Sequence, residues 1–127
     1  MFAEDNPGVA FMLNTILEQD GRFEVLYAAD GEQALSLCYY YLPHIAILDL
    51  MMPKLHGLKV CKALKATPKT RHIKVVMLTG IGGAHSVNEA SEAGVDVYMT
   101  KPFVPEELIR RVETLLWQDS APAITGT

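Results

Sequence analysis

His44-Ile45-Ala46-Ile47-Leu48-Asp49-Leu50-Met51-Met52-Pro53 is the stretch that decides how this chain folds. Four apolar residues bounded by Pro43 and by the carboxylate of Asp49 have the pattern of a short strand buried on both faces of a parallel sheet. Asp49 ends that strand, and Met52-Pro53 turns the chain immediately after it. In open α/β sheets the carboxyl ends of the strands are where ligands and chemistry sit. An acid there either caps the next helix or is a functional carboxylate. Pro53 and Gly57 separate Asp49 from the next helical pattern, Leu58 to Leu64, which disfavours the cap.

The neighbouring segments supply the rest of such a sheet. Met1-Phe2-Ala3 reads as a fragment of strand running into Glu4-Asp5-Asn6, with Asn6 as helix N-cap and Pro7 at the first helical position. Val9, Leu13, Ile16 and Leu17 carry that helix to Asp20-Gly21. Phe23 to Ala28 predicts a second strand, and Asp30-Gly31 opens a helix that stops before Pro43. After the helix around Leu58, Cys61 and Leu64, Lys74 to Thr79 predicts a fourth strand. A helix from Ala84 to Ala93 follows, stopped by Gly94, and Val95 to Met99 predicts a fifth strand. Thr100-Lys101-Pro102 then leads into an amphipathic helix through Leu108, Ile109, Val112, Leu115 and Leu116. Strand and helix alternate five times, which predicts an α/β fold. It is a five-stranded, parallel, doubly wound sheet of flavodoxin-like (βα)5 type, with order 2-1-3-4-5 and its switch point between the first and third strands. Residues 1–119 form one domain, and 120–127 read as a flexible tail or the start of a linker.

Bulk properties narrow the function classes. A 127-residue chain is one domain in size, with half its residues hydrophobic and a fifth charged. A formal charge of -4 offers no footprint for direct nucleic-acid or anionic-membrane binding. No apolar run approaches the roughly 20 residues of a membrane span, and no signal-peptide pattern opens the sequence. Cys38 and Cys61 fall inside helical patterns and read as buried thiols, as expected in the reducing cytoplasm. His44, His56, His72 and His85 lack metal-ligand spacing. Gly80-Ile81-Gly82-Gly83 is no dinucleotide loop, because His85 stands at the third glycine position and the run follows the fourth strand.

Projected onto the switch-point edge, the first strand contributes Glu4 and Asp5, the third Asp49, the fourth Thr79 and the fifth Lys101. Packed carboxylates repel, at roughly 4 kcal/mol for two unit charges 4 Å apart at an effective dielectric of 20. One rim lysine is poor compensation, since a surface ion pair is worth about 0–1 kcal/mol. A hard divalent cation such as Mg²⁺ resolves the conflict with one or two carboxylates, waters and a phosphoryl oxygen. Thr79 could donate to that oxygen, and Lys101 could act on it as a point charge.

With these motifs in hand, the sequence resembles a response-regulator receiver domain, the phosphoacceptor module of two-component signalling, from about Phe2 to Trp117. The resemblance rests on Glu4-Asp5-Asn6, on Leu48-Asp49-Leu50-Met51-Met52-Pro53 with Gly57, on Met77-Leu78-Thr79, and on Tyr98-Met99-Thr100-Lys101-Pro102-Phe103. It implies that Asp49 accepts a phosphoryl group from a histidine kinase, a phosphotransfer protein or a small phosphodonor. It also implies a Mg²⁺ site of Asp5 and Asp49, completed by Glu4, often through water, and by the Met51 backbone carbonyl. Thr79 and Lys101 would hold the phosphoryl group, Tyr98 would be the aromatic switch, and the Lys101-Pro102 bond would be cis. The surface remodelled would be that of the fourth and fifth strand-helix units, including Glu89, Asp96 and Arg111, with at most a weak phosphorylation-dependent homodimer. Such a domain assists its own phosphorylation and dephosphorylation without being a turnover enzyme. Met51 and Ile81, at the positions that flank the attacking water in the family, imply slow hydrolysis of the phosphorylated form.

Three departures stand out. The first strand has only three residues before the acid pair, leaving open a clipped strand or a missing upstream piece. His56 replaces a frequent acid before Gly57 and is expected to be exposed. Gly80 follows Thr79 and keeps access to the site open. Two rival readings remain beside the receiver. One is a Mg²⁺-dependent phosphohydrolase with Asp49 as nucleophile, which would want an acid where Met51 stands. The other is a receiver-like interaction module that is never phosphorylated.

Overall fold

The computed structural model describes residues 1–80 and 92–118. It contains five parallel strands, β1 (Phe2–Ala3), β2 (Tyr27–Ala28), β3 (Ile45–Asp49), β4 (Lys74–Thr79) and β5 (Val97–Thr100). They lie in the order β2-β1-β3-β4-β5. Four helices are seen among the described residues: α1 (Pro7–Asp20), α2 (Gly31–Tyr41), α3 (Gly57–Ala66) and α4 (Pro105–Gln118). The helix expected over residues 84–93 lies almost entirely outside the described residues.

The apolar run around Ile47 is buried on both sides because side chains alternate across a strand. Ile45 and Ile47 enter a core with Val76, Leu78, α1 (Leu13, Leu17) and α4 (Leu108, Val112). Ala46 and Leu48 enter a second core with Val75, Met77, α2 (Ala34, Cys38) and α3 (Cys61, Leu64). Both cysteines are free and buried, and burial pushes each thiol up to about 11, so neither is poised as a thiolate.

Local chemistry sets where the helices start. Asn6 accepts from Gly8 N and Val9 N, Pro7 takes the first helical position, and Gly21 closes α1 with φ of 79°. Asp30 caps α2 by accepting from Gln33 N, while the Gln33 side chain accepts from Ala29 N. For α3 the cap is His56, whose Nδ1 accepts from Leu58 N at 3.3 Å. His56 is therefore half-buried rather than exposed.

The segment between β3 and α3 is folded back tightly on its surroundings. Gly31 N donates to Pro53 O at 3.2 Å, Gly57 N donates to Leu50 O at 2.9 Å, and Lys54 reaches Asp30 at 3.6 Å. A methyl group on Gly31 would lie 1.9 Å from the carbonyl oxygen of Leu55, a backbone atom that cannot step aside alone. Gly31→Ala is therefore expected to destabilise the fold by roughly 3 kcal/mol, the upper range for overpacking. Equilibrium urea unfolding measures this, and an unchanged midpoint would show that the loop is not seated against α2 as described.

Candidate functional site

The sheet order makes β1 and β3 neighbours, with Phe2 opposite Ile47 and Ala3 opposite Leu48. The chain winds outward from β1 to β2 and returns to β3, so the switch point lies at the carboxyl ends of β1 and β3. Glu4, Asp5 and Asp49 meet there, with carboxylate oxygens all within 4.8 Å of one another. Asp5 is exposed, whereas Glu4 and Asp49 are buried.

Lys101, delivered by the end of β5, reaches across this edge. Its Nζ lies 2.9 Å from Glu4 Oε1 and 3.3 Å from Asp49 Oδ2. The second Glu4 oxygen accepts from Asn6 N at 3.2 Å. Burial pushes the Glu4 carboxyl above its usual range; the Lys101 bond opposes this and the Asp49 charge adds to it. Burial alone would lower the Lys101 ammonium, but the bond to Glu4 and the charge of Asp49 outweigh it and hold it above its usual value. Three acids and one lysine thus leave the cluster short of positive charge, and its donor set is entirely hard oxygen. Both features fit a small divalent cation.

Thr79 ends β4, is buried, and accepts from Lys101 N through its carbonyl at 2.6 Å, tying the two phosphoryl-holding candidates together through the backbone. Met51 is 67 % exposed, and its N–H donates to Asp49 Oδ1 at 3.4 Å. The Lys101-Pro102 bond is cis. Tyr98 is half-buried against the core that α2 and α3 cover. Ile81 and Glu89 lie outside the described residues. Asp96 is engaged within the chain, accepting from Val75 N at 2.8 Å and from Lys65 at 3.1 Å, and Arg111 is paired with Glu107.

Two contributors escape a sequence reading. The Asn6 backbone amide holds Glu4, and the Tyr27 hydroxyl donates to the Glu4 carbonyl oxygen at 2.9 Å. Tyr27 sits at the same sheet edge as the acids, which is the only hint its position gives.

A parallel sheet that gathers acids, a threonine and a lysine at its switch point defines the class of doubly wound signalling receivers. Comparison with known proteins agrees. The sequence model of the response regulator receiver domain matches residues 1–113. The DNA-binding dual master transcriptional regulator RpaA of Synechocystis is 35% identical over 116 residues, covering 91% of this chain and 48% of its own length. The DNA-binding response regulator MtrA of Mycolicibacterium smegmatis is 36% identical over 116 residues, covering 91% and 49%. Among solved structures, the receiver domain of Francisella response regulator 1452 superposes with a TM-score of 0.83 at 31% identity, covering 93% of this chain and 95% of that one. The chain belongs to the response regulator receiver family of two-component signalling. It spans about half the length of the curated relatives it matches.

Proposed function

We propose that Asp49 is the phosphoacceptor of this receiver. The observation that carries the reading is its placement at the end of β3, 3.3 Å from Lys101 Nζ and grouped with the carboxylates of Glu4 and Asp5. One Asp49 oxygen attacks phosphorus. The new O–P bond forms as the P–N bond of a kinase or phosphotransfer-protein phosphohistidine breaks, or the P–O bond of a small acyl phosphate. The leaving imidazole takes up a proton; the leaving acetate needs none. Lys101 and Thr79 hold the phosphoryl oxygens as charge develops on them. Asp5, Asp49, Glu4 and the Met51 carbonyl would hold Mg²⁺, which when bound supplies further positive charge beside those oxygens. The test is intact-mass spectrometry after incubation with acetyl phosphate and Mg²⁺. A gain of one phosphoryl group is expected, and an unchanged mass overturns the assignment.

The domain is a stoichiometric acceptor, not a turnover enzyme; Met51 in place of an acid two residues past Asp49 supports this over a phosphohydrolase. Thr79, drawn to the phosphoryl group, would free space for the Tyr98 ring and remodel the surface of β5 and its flanking helices. Asp96 and Arg111 already have partners within the chain, so any phosphorylation-dependent homodimer through that face would be weak. The kinase or phosphotransfer partner would dock around Asp49, beside which the Met51 side chain is 67% exposed. The receiver unit would run over 1–119, followed by a tail or linker start at 120–127; the family match covers residues 1–113 of it. No described helix is long and apolar enough to cross a membrane. That fits a cytoplasmic receiver, and the charge of -4 fits one that does not itself bind nucleic acid.

Mg²⁺ should raise the melting temperature of the unphosphorylated domain, because the carboxylates converge only in the folded chain. At a concentration of about 100 Kd the gain is about 2.7 kcal/mol. Asp5→Ala should remove most of it. Equal Mg²⁺-induced shifts in wild type and variant, followed by scanning calorimetry, would place the cation elsewhere.

A further inference from the structure

We propose that Tyr27 is a positioning residue for the acid pair, its hydroxyl pinning the peptide plane from which Asp5 projects into the carboxylate cluster. The inference rests on the reading of Glu4, Asp5 and Asp49 as a Mg²⁺ site.

The acid pair hangs on a short support. β1 has only two residues, and its last bond to β2 runs from Glu4 N to Ala28 O at 3.2 Å. Beyond that point the Glu4 side chain is held by Lys101 and by Asn6 N, and α1 is anchored by its Asn6 cap. Those contacts fix Glu4 and Asn6 on either side of Asp5 and leave the intervening peptide unit to be oriented. Its oxygen, the Glu4 carbonyl, accepts the Tyr27 hydroxyl at 2.9 Å. A peptide unit is planar, so holding that oxygen also fixes the N–H and Cα of Asp5.

The ring of Tyr27 is aimed by the core. It lies tilted on the buried Phe2 ring with centroids 5.1 Å apart, in the register that pairs Phe2 with Tyr27. Yet Tyr27 is 43% exposed, so it fills little of the core. Its specific contribution is the directed hydroxyl, and Tyr27→Phe removes that group while keeping the ring on Phe2.

The experiment titrates Mg²⁺ calorimetrically into wild type and Tyr27→Phe, with melting temperature read on the same samples. Mg²⁺ affinity is expected to fall roughly fivefold, the worth of one neutral hydrogen bond. The cation-free melting temperature should stay close to wild type. Equal affinities overturn the inference, as does a lowered melting temperature with unchanged affinity, which marks a merely structural tyrosine. A wild-type domain that binds no Mg²⁺ overturns the site itself and the inference with it.

Discussion

Asp49→Asn is expected to abolish acyl-phosphate formation while leaving the domain folded. A carboxamide has no anionic oxygen to attack phosphorus, and it removes one charge from the cluster that would hold the cation. Loss of phosphorylation through unfolding is not expected. Asp49 crowds the buried Glu4 and adds to the upward push on its carboxyl, so neutralising residue 49 relieves repulsion. Lys101 keeps its bond to Glu4 at 2.9 Å. The predicted signature is a full loss of the phosphoryl mass increment, with an unchanged circular dichroism spectrum and undiminished thermal stability. If the variant gained the same mass as wild type, the acceptor would be another residue and the chemistry assigned to the end of β3 would be wrong.

How much of this was legible in the sequence depends on where each determinant lies. β3 is legible because Ile45 to Leu48 must satisfy two cores at once, and that demand appears as an unbroken apolar run. Asp49, Thr79 and Lys101 are legible because strand order alone brings strand ends together. β2 is shorter than its apolar pattern suggests: Phe23 to Ala28 reads as strand, but only Tyr27–Ala28 is paired. A strand exists where a neighbour supplies a ladder, and β1 supplies two residues. His56 is harder to read, since histidine is not among the usual N-cap residues and its role depends on which nitrogen meets Leu58 N. Tyr27 and Asp96 are not legible, because each acts on backbone of a segment remote in sequence, Glu4 in one case and Val75 in the other.

Lys101→Met is expected to have two separable effects, one on stability and one on chemistry. Lys101 is the cation facing both Glu4 and Asp49, and the Glu4 side chain is 1% exposed. Removing it leaves a buried carboxylate unpaired beside a second one, a change that costs about 3 kcal/mol at neutral pH. The pH dependence has a definite sign. Glu4 in the folded domain already titrates above its unfolded value, so its protonated form favours folding, and that contribution fades as pH rises through the folded pKa. Without Lys101 the folded value moves higher still. The deficit of the variant relative to wild type, measured by urea unfolding, should therefore shrink as pH falls into the mildly acid range. Glu4→Gln in the same chain should recover most of the lost stability at neutral pH, because the uncompensated charge is gone. It should not recover the chemistry. With no ammonium at the phosphoryl oxygens, phosphorylation by acetyl phosphate should stay slower by on the order of a hundredfold, as for other preorganised groups that stabilise developing charge. A double variant that is as stable as wild type and phosphorylated at the wild-type rate would reduce Lys101 to a counter-ion for Glu4. One that is stable yet slow assigns Lys101 to the transferring group.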